Sequence, residues 1–234
     1  YAVCDDTAMR NIASGVQTGV PDGHLVYIMY PLGWLMATLY KVNNHFDWYG
    51  IIFIVLQAIC LIRIAIRLLD RCDNKKEILF TIIGLFVFFF VIWNKSLTNF
   101  QFSTTAALLG GTSCFIIYES TKNDDLTWKD IIESLIFLIL SMMIRKKVAQ
   151  MAMAFYSLVF LYYQFDWKSR KIKDLKKCIV FPFFVLCILF ATPLNNLIAY
   201  SSDEWKDYKQ FNLARSKIYD YYGVPDYEEN IDFY

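Results

Sequence analysis

Long apolar runs separated by short polar stretches are the main feature of this chain of 234 residues. A helix must hold about 20 mostly apolar residues to cross roughly 30 Å of hydrocarbon. Six runs approach that length with almost no charge, at residues 48–68, 77–94, 104–118, 131–144, 148–164 and 178–194. The pattern therefore predicts an all-α fold, a polytopic transmembrane bundle of about six helices.

The six runs differ in how clearly they indicate a membrane-spanning helix. Residues 78–93 contain no charged side chain and lack the polar face of an amphipathic soluble helix. The runs at 104–118 and 131–144 hold only about 15 residues each. We expect those two helices to be tilted, partly re-entrant or packed where the bilayer is locally thin.

A shorter apolar segment at residues 25–40 has a different pattern. Its sixteen residues would reach only about 24 Å as a helix, and Pro31 and Gly33 lie near its middle. Aromatic and hydroxyl side chains recur on one helical face, at Tyr27, Tyr30, Trp34 and Thr38. This stripe favours a helix lying in the membrane interface over a membrane-spanning one. Residues 1–47 would then form one extracytoplasmic loop.

Lysine and arginine are distributed unevenly among the predicted loops. Thirteen lie at the loops after the first, third and fifth runs, against four in the loops after the second and fourth. Because cytoplasmic loops carry the excess of these residues, we place the thirteen inside and the tail at 195–234 outside. We interpret the clusters at 63–76 and 168–177 as topology determinants that contact anionic lipid.

No internal repeat, low-complexity tract or flexible linker divides the chain, which predicts one membrane domain over residues 1–234. Hydrophobic residues make up 57% of it and the formal net charge is +1, so nothing indicates a nucleic-acid partner. The chain begins at Tyr1 and ends in a polar stretch. We therefore expect a fragment of a longer protein that lacks a first span and a C-terminal part.

Asp5 and Asp6 are the most distinctive candidate site. Adjacent carboxylates repel each other, so a proton, a cation or a polarised substrate group is expected between them. One of them could act as a general base toward a substrate hydroxyl, or the pair could bind a divalent metal such as Mg²⁺ or Mn²⁺. The competing interpretation is structural, with Asp6 capping a helix at residues 8–14.

Three consecutive cations, Arg145, Lys146 and Lys147, lie on the side that should be poor in positive charge. They could hold an anionic phosphate at the outer membrane surface, or they could simply reach lipid headgroups. His24 ends a turn-rich connector and could shuttle a proton or contact phosphate. A lone exposed histidine more often does neither.

The remaining chemistry is sparse. Two histidines and six cysteines without Cys-x-x-Cys spacing indicate neither a zinc site nor a disulfide framework. The third run has small residues that would let another helix approach closely, at Ala106, Ala107, Gly110, Gly111 and Ser113. We interpret this face as a packing signal.

This layout resembles the GT-C class of membrane glycosyltransferases. In that class an acidic motif lies in the first outer loop, close to the first span, together with membrane-lying helices; here the motif corresponds to Asp5 and Asp6. The segments DDTAM at 5–9, TGVPDGH at 18–24, and 205–215 with YGVPDY at 222–227 also look like an uncharacterised bacterial group placed with these transferases. The resemblance covers most of the chain.

The resemblance implies transfer of a sugar from a polyprenyl-phosphate carrier to a glycan or lipid acceptor of the cell envelope, on the outer face of a bacterial plasma membrane. Asp5 or Asp6 would take the acceptor proton, while Arg145 or Lys146 would neutralise the departing phosphate. The implied metal dependence is open, since members of the class differ. The alternatives are a transporter or scaffold without enzymatic activity, and a polymerase or ligase of envelope polysaccharide.

Overall fold

The fold is almost wholly helical in the computed structural model, which describes residues 4–98, 100–166, 171–172 and 180–218. A two-residue antiparallel ladder pairs β1 (Phe165–Asp166) with β2 (Lys171–Ile172). The helices are α1 Cys4–Ser14, α2 Tyr30–Val42, α3 Trp48–Leu69, α4 Lys75–Thr98, α5 Phe102–Lys122, α6 Trp128–Ile144, α7 Lys146–Gln164, α8 Val180–Ala199 and α9 Asp203–Lys217. The predicted all-α class is confirmed, and every predicted run falls within a helix over its described residues.

Two of these helices, α3 and α4, are long and apolar enough to cross a membrane. They hold 22 and 24 residues, and no other helix in the described part of the chain meets the same measure of length and hydropathy. This finding favours membrane association. The count of six spans is not established by it, because α6 has only 17 residues and α5 carries many polar side chains.

The chain divides into two compact units, residues 1–191 and 192–234, with the boundary inside α8. The first unit holds α1 to α7 and most of the core. The second holds the end of α8 and α9. The predicted outer tail is described only as far as residue 218, and most of the predicted basic loop at 168–177 also lies outside the described residues.

Helix α5 is the centre of the first unit, packed against α3, α6 and α7. Small side chains let its neighbours approach closely: the Ser141 hydroxyl donates to the Ala106 carbonyl oxygen at 2.7 Å, and Ser113 and Ser134 share a hydroxyl contact of 2.8 Å. A methyl group added at Gly110 would lie 2.6 Å from the Ala152 Cβ atom. The predicted packing face is therefore confirmed at these positions. It is wrong at Ala107 and Gly111, which are exposed on the other side of the helix.

Helix α2 is shorter than the predicted interfacial helix. It begins at Tyr30, with Pro31 in its first turn, where the fixed φ angle of proline suits a helix start. Much of the apolar face of this segment, which an interfacial helix would direct into the acyl chains, packs against protein instead, including Ile28, Leu32 and Met36. Gly33 allows this packing, since a Cβ atom there would meet the Gly23 carbonyl oxygen at 2.2 Å.

A buried polar cluster joins α4 to α3 and α5. The Gln57 amide donates to Thr105 Oγ1 at 2.8 Å and accepts from Trp93 Nε1 at 2.9 Å and from Ser96 Oγ at 3.4 Å. Trp93 ends a π-helical turn, Phe89–Trp93, within α4. Because hydrogen bonds between apolar helices replace contacts with water, this cluster sets the register of α4 against the bundle.

Candidate functional site

Asp5 and Asp6 lie on different sides of α1. The helix begins at Cys4, not at residue 8, so both carboxylates are in its first turn and point about 100° apart around the axis. Asp5 is exposed, whereas Asp6 has no accessible surface. The prediction that Asp6 caps its own helix is therefore wrong, because its side chain faces the protein interior.

Asp6 instead caps the central helix α5. Its Oδ1 atom accepts a hydrogen bond from the Phe102 backbone N–H at 3.0 Å and another from the Tyr49 hydroxyl at 2.9 Å. A carboxylate at a helix N-terminus satisfies an unpaired N–H group and complements the helix dipole. One residue of α1 thus fixes the starts of both α3 and α5.

The second oxygen of Asp6 is in a different situation. Oδ2 is buried and has no hydrogen-bond partner among the described residues. Burial raises the pKa of Asp6 above its ordinary value, and this effect outweighs the two hydrogen bonds, which lower it. Asp6 therefore holds its proton more tightly than an ordinary aspartate does.

A second chain of hydrogen bonds holds α1 one turn further along. Arg10 donates to Asp47 Oδ1 at 3.2 Å, the Tyr40 hydroxyl donates to the same oxygen at 2.8 Å, and the Tyr49 backbone N–H donates to the Tyr40 hydroxyl at 3.1 Å. Burial raises the pKa of Tyr40 to about 12, so its hydroxyl remains a donor at neutral pH. Asp6 and Arg10 are four residues apart, which places both anchors on one face of α1.

Arg145 occupies the break between α6 and α7, where its extended backbone separates the two helices. Its half-buried guanidinium group donates to the Ser103 hydroxyl and lies 5.1 Å from the Phe102 ring centre and 5.9 Å from that of Tyr27. The Tyr27 and Phe102 rings stack at 5.4 Å. Within the described part of the chain, Arg145 forms no ion pair with a carboxylate.

The structure thus brings together candidates far apart in the chain. Asp6 binds the backbone of Phe102 and Arg145 binds Ser103, so the acidic first turn of α1 and this guanidinium group meet at the first residues of α5. Tyr27, Tyr49 and Ser103 also contribute contacts here. The sequence does not mark them as site residues, because an isolated tyrosine or serine forms no recognisable motif.

The other two predicted site residues have separate surroundings. The Nδ1 atom of His24 lies 2.6 Å from Asp22 Oδ1, and its ring is 4.7 Å from that of Tyr30. Burial tends to raise the pKa of Asp22, but hydrogen bonds from His24 outweigh it and the net pKa is lowered. Lys146 is half-buried in the first turn of α7.

A metal centre is not built by these residues alone. In the part of the chain that the structure describes, no group of three or more His, Cys, Asp or Glu side chains could hold a metal ion. One oxygen of Asp6 accepts two hydrogen bonds and the other is buried, so Asp5 is the accessible carboxylate of the pair.

At the opposite end of α3, three arginines form an ion-pair network. Arg67 donates to Glu119 at 3.1 Å, to Glu133 at 3.0 Å and to Asp130, while Arg63 donates to Glu133 at 2.8 Å. The third arginine completes the network by pairing with acidic groups of α5 and of the loop after it, Arg71 with Glu119 and Asp125. Acidic side chains of α5, of α6 and of the loop between them therefore neutralise these arginines within the protein, and contact of the cluster at 63–76 with anionic lipid stays a prediction.

Two sequence signals could have revealed this network. Arg63 and Arg67 are four residues apart, which places them on one face of α3, and Arg71 follows four residues later, just past the end of the helix. Asp130 and Glu133 are three residues apart at the start of α6, where they also form one acidic face. The network borders a cavity of about 330 Å³ that Arg63, Arg67, Glu119 and Asp130 help to line.

Comparisons with family models, with curated proteins and with solved structures found no match for this chain. The likeness to GT-C transferases stays a prediction. The strongest functional feature of the chain is the start of α5, where Asp6 of α1 and Arg145 bind adjacent residues.

Proposed function

We propose that this protein is a membrane glycosyltransferase that moves a sugar from a polyprenyl-phosphate carrier to a glycan or lipid acceptor of the cell envelope. In this proposal the protein lies in a bacterial plasma membrane with about six spans, and its site opens on the outer face. The observation that carries the proposal is the position of Arg145 at the start of α5, beside the acidic first turn of α1.

Three features suit a phosphate group at Arg145. Guanidinium binds phosphate oxygens through two parallel hydrogen bonds, and Arg145 forms no ion pair with a carboxylate of the described chain that would compete. The N-terminus of a 21-residue helix adds positive potential and a hydroxyl donor at Ser103. Half-burial strengthens these contacts, since fewer water molecules screen them.

Asp5 is the better candidate for the general base. It is exposed in the first turn of α1, whereas Asp6 is buried, bound by two donors and more difficult to ionise. Asp5 would accept the proton of the acceptor hydroxyl as that oxygen bonds to the anomeric carbon. The bond from this carbon to the carrier phosphate breaks, and Arg145 stabilises the negative charge on the departing phosphate.

A second candidate function is transport, without enzymatic activity. The observation that favours it is the buried polar cluster of Gln57, Trp93 and Thr105 beside the π-helical turn of α4. Polar groups and irregular helices within a membrane bundle are typical of transport pathways. All the polar groups of Gln57 are paired, which makes the cluster better suited to packing than to carrying a substrate.

The test uses the full-length protein purified in detergent, with a radiolabelled polyprenyl phosphate as the probe for binding. We expect Arg145→Ala to weaken binding at least tenfold, about 1.4 kcal/mol for one lost charge-assisted contact. Asp5→Asn should bind normally and lose glycan output in cells. Lys41→Ala, which removes an exposed cation of α2, is the matched control for charge.

Equal binding by the wild type, Arg145→Ala and Lys41→Ala would contradict the phosphate site. Normal glycan output from Asp5→Asn would contradict the role of the base. Substrate flux across vesicles without any glycan product would favour the transport alternative.

A further inference from the structure

Helix α1 is held against the bundle along one face, and Asp6 lies at the upper end of that face. Met9 and Ala13, one and two turns further on, are fully buried, and Arg10 is tied to Asp47. Asp5 itself is exposed to solvent. The buried face therefore determines the orientation of α1, and with it the position of Asp5.

Asp6 provides the polar contact at the start of α1. Its Oδ1 atom receives hydrogen bonds from two other helices, from Tyr49 at the start of α3 and from Phe102 at the start of α5. The partners lie 43 and 96 residues away in the chain, so the contact closes two long loops at one atom. No hydrogen bond within α1 could hold the helix in this position.

We propose that Asp6 is a positioning residue, not the base: it fixes α1 against the start of α5, where Arg145 is also anchored, and thereby sets the orientation of Asp5. This inference rests on the proposed function, since Asp5 and Arg145 are the groups being aligned. An oxygen acceptor at the position of Oδ1 is all that the role requires. A negative charge is not required, and in a buried site it would be costly.

Asparagine separates this role from catalysis. Asp6→Asn keeps an oxygen that can accept from Tyr49 and Phe102, and it removes the carboxylate that a base needs. Asp6→Ala removes the acceptor and leaves two buried donors without a partner. Tyr49→Phe removes one donor and leaves the Phe102 contact intact.

Two measurements on the full-length protein test the proposal. The first is hydrogen exchange of backbone amides in α1 and at the start of α5, which is independent of any enzymatic activity. Asp6→Ala should speed this exchange by at least about tenfold, because it removes two buried hydrogen bonds. Asp6→Asn should leave it unchanged, and Tyr49→Phe should lie between the two.

The second measurement is glycan output in cells and its pH profile. Asp6→Asn should keep both close to wild type, whereas Asp6→Ala should reduce output without shifting the profile. Loss of output in Asp6→Asn with normal hydrogen exchange would assign the base to Asp6 and overturn the proposal. Unchanged exchange in Asp6→Ala would overturn it as well. Absence of glycan output in the wild type would contradict the proposed transferase function, while the exchange data would still test the attachment of α1.

Discussion

At the scale of single residues, Asp5 and Asp6 show how neighbours in sequence acquire different chemistry. The two carboxylates are equivalent in the chain, but the interior of the bundle covers one and leaves the other in solvent. Burial removes the water around Asp6, and two hydrogen bonds to one of its oxygens replace it. The first turn of α1 therefore offers a single accessible carboxylate to a ligand.

The raised pKa of Asp6 predicts a pH-dependent stability. The folded protein binds this proton more tightly than the unfolded chain does, so the contribution of Asp6 is fully present below its ordinary pKa. The contribution is lost as the pH rises through the raised value. We expect the unfolding free energy of the wild type to fall relative to that of Asp6→Asn as the pH rises from about 4, the ordinary pKa of an aspartate, toward neutral pH.

Thermal unfolding of both proteins in detergent across this pH range measures the effect. The asparagine variant is the control for the wild type, because it keeps the hydrogen-bond acceptor and cannot titrate. A difference in melting temperature that is the same at every pH would show that Asp6 does not exchange a proton in this range.

At the scale of elements, the contacts of α5 determine how closely the helices approach. Gly110 faces α7, and a Cβ atom there would lie 2.6 Å from the Ala152 Cβ atom. Gly111 is its neighbour, and an added Cβ would meet nothing within 4 Å. The two glycines therefore form a matched pair for one substitution.

We expect Gly110→Ala to lower the unfolding free energy by about 1–3 kcal/mol, because α5 and α7 must move apart. Gly111→Ala should raise it by about 0.5–1 kcal/mol through better helix propensity alone. Denaturant unfolding followed by circular dichroism measures both. Equal effects at the two positions would contradict the close contact of α5 with α7.

The ion-pair network that joins α3 to α5 and α6 makes a second prediction at this scale. The Arg67 side chain is only 12% exposed, and its removal would leave three acidic groups near one another. Arg67→Met should therefore cost about 3–5 kcal/mol of unfolding free energy. Lys76→Met, at an exposed cation of α4, should change it by less than about 0.5 kcal/mol.

Thermal unfolding of the two methionine variants at low and high salt checks this prediction. High salt should weaken the wild type only slightly, since salt screens partly buried pairs much less than exposed ones. Similar stability of Arg67→Met and Lys76→Met would mean that the network contributes little.

At the scale of the whole molecule, the distribution of charge predicts which end of the bundle faces outward. Asp5 and Asp73 are both exposed. Asp5 lies near the start of α3, because the neighbouring Asp6 binds Tyr49, and Asp73 lies in the loop that follows the end of α3 at Leu69. If the proposed topology is right, the two positions lie on opposite sides of the membrane.

Cysteines introduced at these positions test the topology. In a background with the six native cysteines replaced, a membrane-impermeant maleimide should label Asp5→Cys in intact cells and Asp73→Cys only after permeabilisation. Each variant serves as the other's control for reactivity. The reverse labelling pattern would invert the topology and place the proposed site in the cytoplasm.

The sequence by itself determined the helical class and the positions of the main helices, since an apolar run with helical periodicity needs no partner to be recognised. It also pointed to Asp5, Asp6 and Arg145, whose charges are unusual in their local context. The small face of α5 was predicted correctly at Ala106 and Gly110, because close packing selects small residues wherever the partner helix lies.

The tertiary structure decided what those residues contact. Only the packing of α1 on α3 and α5 buries Asp6 and exposes Asp5, and only the approach of α6 to the start of α5 brings Arg145 to Ser103. The pairing of the α3 arginines with acids of α5 and α6 is of the same kind. Each of these contacts depends on residues that are distant in the chain. Periodicity and local charge do not specify which distant group becomes the partner.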